Sequence, residues 1–126
     1  MAYDNTAGAV TFSATAAADL SASQYRLVQL TADNTVNLCT AITDIPVGVL
    51  QNKPASGRAA SVLVAGISKL EAGATLAAGS TIACATDAQA QVAVSTQYVI
   101  GQVIAGSAAD EICTAAINCL SPILKA

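Results

Sequence analysis

The segment Glu111-Ile112-Cys113-Thr114-Ala115-Ala116-Ile117-Asn118-Cys119 decides the fold class. Side chains alternate across a β-strand, so Cys113, Ala115, Ile117 and Cys119 share one face, while Thr114 and Asn118 fall on the other. A helix over Glu111–Leu120 would set Ile112, Ala116 and Leu120 at four-residue spacing, but the Ile, Thr and Cys content favours a strand. The thiol-bearing face is expected to be buried. Outward from this segment, β-branched runs of about four to eight residues recur between Asn, Asp, Gly and Pro, which is the punctuation of an all-β domain. The strands read this way are Tyr25–Leu30, Val36–Cys39, Val47–Leu50, Ala60–Ala65, Ile67–Glu71, Thr81–Ala85, Gln91–Val94, Tyr98–Ala105 and Glu111–Cys119.

The connectors support that reading. Ala32-Asp33-Asn34-Thr35 and Thr86-Asp87-Ala88-Gln89 place Asx side chains where they bond to nearby backbone and hold a hairpin reversal. Pro46 belongs at a strand start or an edge, and Pro54 with Gly57 marks a loop. Leu70-Glu71-Ala72-Gly73 and Leu76-Ala77-Ala78-Gly79 predict two close bends between Ile67 and Ile82.

The first 24 residues differ. Thr6, Thr11, Ser13, Thr15, Ser21 and Ser23 alternate with alanines, and branched aliphatic mass is scarce. Two of the four aromatic residues, Tyr3 and Phe12, nevertheless lie here, and large rings are costly to leave in water. We read residues 1–24 as an extended arm and residues 25–126 as the β-rich domain. In this reading Tyr3, Val10 and Phe12 are the candidate contacts to a neighbouring molecule. A frayed terminus, or a short helix over Thr15–Gln24, is the alternative.

Composition bounds the chemistry. The 126 residues are 54% apolar, 10% charged and 3% aromatic. An ordinary domain carries roughly a quarter charged residues, so neutral small side chains or partner subunits must cover much of this surface. With net charge −3 and pI near 4.4, nucleic acid is a poor partner. The chain holds no histidine, which removes Ser/His/Asp and Cys/His catalysis and Cys₂His₂ zinc. The four cysteines are separated by 45, 29 and 6 residues with no close pair, so they read as small buried hydrophobes rather than metal ligands. No adjacent carboxylates share a face as an acid/base dyad would, and no phosphate-binding or nucleophile-elbow motif occurs. No cofactor is expected. Lys69, near a β-turn, loosely resembles the swinging-arm lysine of biotinyl and lipoyl modules; a solvated strand-face lysine is the simpler reading. Residues 88–109 carry no charge, yet Gln89, Gln91, Ser95, Gln97 and Gln102, with Gly101 and Gly106, interrupt them, so a membrane span is not expected.

Four further segments form an ordered series: Ile45-Pro46-Val47-Gly48-Val49-Leu50, Ala60-Ser61-Val62-Leu63-Val64-Ala65-Gly66-Ile67, Leu76-Ala77-Ala78-Gly79-Ser80-Thr81-Ile82, and Tyr98-Val99-Ile100-Gly101-Gln102-Val103. The series resembles the capsid decoration, or cement, proteins of tailed bacteriophages, and it also looks like β-clip modules with other roles. The resemblance implies a small single-domain β-barrel or sandwich without catalysis. It would bind the outer surface of an icosahedral head, with the major capsid protein and further copies of itself, often in a trimer, as partners. Such a protein would be made in the host bacterial cytoplasm and carried in the virion. It carries over no individual contact residue. The alternative from composition is a carbohydrate- or surface-binding β module, handicapped by the absence of tryptophan.

Overall fold

The computed structural model describes residues 5–125, and side chains from Ala9 onward. The fold is all-β. Its strands are β1 (Asn5–Ala16), β2 (Leu27–Ala32), β3 (Thr35–Leu38), β4 (Gly48–Leu50), β5 (Ala59–Glu71), β6 (Thr81–Cys84), β7 (Ala90–Val92), β8 (Tyr98–Val99), β9 (Gly101–Ala105), β10 (Ile112–Asn118) and β11 (Ile123–Leu124). Nine of them form one sheet in the order β1-β3-β2-β4-β5-β10-β9-β6-β7, and β11 pairs with β8 in a separate ribbon. Because β1 also pairs with β5, the first five strands close into a ring.

β5 organises the molecule. One edge bonds β1; the other bonds β4 through Val62 and Leu63, then β10 from Ala65 to Glu71. The sequence reading divided this stretch at Gly66, but it is one strand with an irregularity. At Gly66 φ is 139°, and a Cβ there would lie 2.8 Å from the Ala9 Cβ. The β1 register shifts on either side of Val10, which pairs with Ala65. A glycine at such a bulge lets the long strand change partners without breaking.

Two cores lie on opposite faces of β2, β4 and β5. Leu27, Val49 and Leu63 are in register and face the larger core. Their chain neighbours Val28, Leu50 and Val62 face the smaller core inside the ring, with Ala14, Ala16, Leu20, Val36 and Ala60. A wall buried on both faces needs apolar residues at consecutive positions, which is why β4 is buried throughout. Beyond the wall, the larger core continues into Leu70, Ile82, Ile100, Val103 and the inward face of β10. Cys113, Ala115, Ile117 and Cys119 are buried there as the alternation requires; on the other face Ala116 and Asn118 are exposed, whereas Thr114, between β5 and β9, is buried as well.

Both hairpins form where the Asx residues sit. Ala32 and Thr35 flank the first, with Asn34 at φ 48°. The second joins β6 to β7, with the Gln89 amide donating to Asp87 Oδ1 at 3.2 Å. The stretch Tyr98–Ala105, read as one strand, is two: it passes from β8, paired with β11, to β9, paired with β10 and β6.

Candidate interaction surfaces

The N-terminal segment is part of the domain rather than a separate arm. Residues 5–16 are a strand of the body's own sheet, and backbone bonds run antiparallel to β5 from Val10 to Thr15 and parallel to β3 at Thr15 and Ala16. Phe12 is half-buried and packs against both cores of its own chain. Its ring is therefore packed in large part against its own chain. Val10 is 48% exposed. Tyr3 lies outside the described residues. Residues 17–24 form no helix; Leu20 is buried in the smaller core, and its amide donates to the Pro54 carbonyl at 2.9 Å.

The chemical groups considered from sequence sit in structural roles. Lys69 lies within β5, opposite Thr114 of β10, with Nζ 5.8 Å from the centre of the Tyr25 ring, so it is not at a hairpin tip. Glu71 accepts hydrogen bonds from Arg26 Nε and from Gln89 Nε2 (2.8 Å), and Gln89 Nε2 also donates to Asp110. This network ties β5 to the second hairpin. The four thiols are free and buried. The Cys39 thiol is raised above its ordinary range, foremost by its hydrogen bond with Cys84 and then by burial. Burial pushes Cys119 up to about 12 and also raises Cys113. These are protonated interior groups, poor as nucleophiles. Among the described residues no group of His, Cys, Asp or Glu could hold a metal ion, and no helix is long and apolar enough to cross a membrane.

Among the described residues ten large apolar side chains are exposed, and they divide between the two halves of the molecule. Val10, Leu30, Ile42 and Ile45 belong to the five-strand ring and the loop after β3. That loop is held by Asp44, whose Oδ2 accepts from Gln29 Nε2 at 3.0 Å and from the Thr40 and Ala41 amides at 2.9 and 3.0 Å.

The other six, Val92, Val94, Ile104, Leu120, Ile123 and Leu124, belong to the second half. There an open groove of about 300 Å³ runs over β8, β9 and β10 to the C-terminal segment. Val99, Gly101, Gln102, Ala116, Asn118 and Ile123 are among its lining residues. None of the lining residues is charged. Gly101 is dictated by backbone proximity, since a Cβ there would lie 2.1 Å from the Ala116 carbonyl oxygen.

The ribbon at the groove's end is well anchored. Lys125 N–H donates to the Gln97 carbonyl and Thr96 N–H to the Lys125 carbonyl, both at 2.8 Å. Gln97 is itself fully buried: its Nε2 donates to the Cys84 carbonyl at 3.2 Å, and its Oε1 accepts from the Val94 amide at 2.9 Å. Yet Ile123 is 70% and Leu124 54% exposed. Consecutive strand residues point to opposite faces, so the ribbon presents apolar surface on both sides. The sequence reading noticed the charge-free run that supplies β7 to β9, but only as a question about membranes. The clue it lacked was that residues 112–124 are also uncharged, which brings two neutral stretches together on one half.

No family model matches this chain. No curated protein matches it in sequence. Among solved structures, it is similar to the head fiber gp8.5 N base of bacteriophage phi29, at 21% identity and a TM-score of 0.68, over 90% of this chain and 97% of that one. At that identity the likeness establishes a shared fold, extending over nearly all of both chains.

Proposed function

We propose that this chain is a non-catalytic structural protein of a bacteriophage virion. It binds the outer surface of the icosahedral head and ties adjacent copies of the major capsid protein together against internal DNA pressure. The observation that carries the reading is the fold shared with a phage head fiber base over 90% of the chain. The head fiber likeness favours a role at the phage head; the finer assignment to cementing rests on the surface and on the resemblance of the ordered strand series to decoration proteins.

A protein that ties subunits together needs at least two contact regions and little chemistry of its own. Exposed apolar side chains on both halves, set among neutral small residues, supply such regions. Ala, Ser and Thr are inexpensive to desolvate, whereas buried unpaired charges are not. Several modest contacts made together give slow release, because the second and third form at high effective concentration.

No observation favours the carbohydrate-binding alternative. Among the described residues Phe12, Tyr25 and Tyr98 are all partly buried, and Tyr25 is already faced by Lys69. The test is to incubate the purified protein with heads of its own phage that lack it, then measure occupancy and the temperature at which heads release DNA. Saturable binding with a raised release temperature is expected. Binding without stabilisation would leave attachment and refute cementing; no binding would refute both.

A further inference from the structure

We infer that Cys39 and Cys84 form an oxidation site, at which a small-molecule disulfide converts two buried thiols into a cross-link between the loop after β3 and the β6–β7 hairpin. Three observations single out this pair among the four cysteines.

The first is contact. The Cys39 thiol is hydrogen-bonded to Cys84, and the Cys84 Sγ donates to the Ala85 carbonyl at 3.0 Å. Sulfurs already within hydrogen-bond reach need close by only about 2 Å to arrive at disulfide bonding distance.

The second is the backbone that brings them together. Leu27, at the start of β2, accepts at its carbonyl from the Cys39 amide at 3.2 Å and donates its own amide to the Ala88 carbonyl at 2.8 Å. Ala88 donates in turn to the Ala85 carbonyl at 3.1 Å, and Cys84 pairs with Ala90 across the hairpin. The end of β3 and the hairpin are therefore held against one residue from opposite sides, and this fixes where both cysteines stand.

The third is what the bond would enclose. Both residues belong to the larger core, Cys39 0% and Cys84 2% exposed, so a bond between them is shielded from reductant. They stand 45 residues apart, with β4 and β5 between them. A cross-link across so long a segment restricts the unfolded chain strongly.

The chemistry is thiol–disulfide exchange with a glutathione-type disulfide as oxidant. Cys39 loses its proton to solvent when its loop opens, attacks one sulfur of the oxidant and expels a thiolate, which takes up a proton. Cys84, deprotonated in turn, attacks the Cys39 sulfur of the mixed disulfide and expels the second thiol. Two protein thiols are oxidised and one external disulfide is reduced to two thiols. In the closed fold the protonated pair is inert, so the bond forms during folding or on loop opening. A chain that leaves a reducing compartment gains this tie outside it. The claim does not depend on binding to heads.

The test is to refold the full chain from urea in millimolar reduced and oxidised glutathione, alkylate the remaining thiols, and map the peptides by mass spectrometry before reduction. The expected map shows Cys39 joined to Cys84, with Cys113 and Cys119 alkylated. Thermal unfolding should lie about 10 °C above that of the reduced protein. Cys84→Ala should abolish the cross-link and the gain, while Cys119→Ala, which removes the other thiol of the same core, should keep both. If either variant fails to fold, the wild-type map and melting temperature decide. Four alkylated thiols, a bond that involves Cys113 or Cys119, or a cross-linked form that melts no higher than the reduced one overturns the inference.

Discussion

Gly48 sits in the shared wall where no side chain fits. A Cβ there would lie 2.4 Å from the Leu63 carbonyl oxygen and 2.6 Å from Val62 Cγ1, both in the strand alongside. Gly48→Ala must push β4 away from β5 between two cores, and overpacking of this kind costs about 1–3 kcal/mol or more. Urea unfolding should show a lowered midpoint with unchanged slope; a midpoint equal to wild type would mean the wall is looser than described. The buried thiols make a second prediction at this scale. Cys119 is raised from 9.0 to about 12, so its neutral form is favoured by folding. That contribution is fully present below about pH 9 and is lost as pH rises toward 12, at up to about 1.4 kcal/mol per pH unit. Thermal unfolding should fall steeply above pH 9, and Cys119→Ala should flatten the fall although it lowers stability at pH 7. An equal slope in both proteins would assign the alkaline loss to other groups.

At the scale of elements, most strands were legible because β-branched runs and Asx turns are local signals. β1 was not, and the reason is physical. A ring of five strands has a narrow interior, so its first strand contributes Ala14 and Ala16 to the core, with Phe12 packed beside them. The alanines that made the segment look unable to build a core are the residues a narrow ring accepts. The period-two signal was present: Thr11, Ser13 and Thr15 are exposed between inward Phe12, Ala14 and Ala16. β11 is two residues long and carries no pattern of its own. Integration of β1 changes the expected result of deletion. Removing residues 2–14 should unfold or grossly destabilise the protein, since it strips one wall of the ring, rather than only weakening attachment. A truncated chain with wild-type circular dichroism and melting would contradict the β1–β5 pairing. Val10→Asp is the informative substitution for surface contacts on this strand, because Val10 is 48% exposed and its loss leaves the ring closed.

At the scale of the whole molecule, low charge and the absence of histidine pointed from the start to a protein that works by surface. Which surface was not legible. The groove joins residues 99–102 to 116–123 through pairings that only the fold brings together, and no short motif marks them. Charge does not mark it either, since Arg26, Asp33, Asp44, Lys53 and Arg58 lie on the ring half or its loops while Lys69, Glu71, Asp87, Asp110, Glu111 and Lys125 lie along the other. Cosedimentation with purified heads lacking the protein tests this account most directly. The account predicts saturable pelleting at a fixed ratio to the major capsid protein, reduced by Val10→Asp in a protein that stays folded. Protein left wholly in the supernatant at tens of micromolar would contradict it.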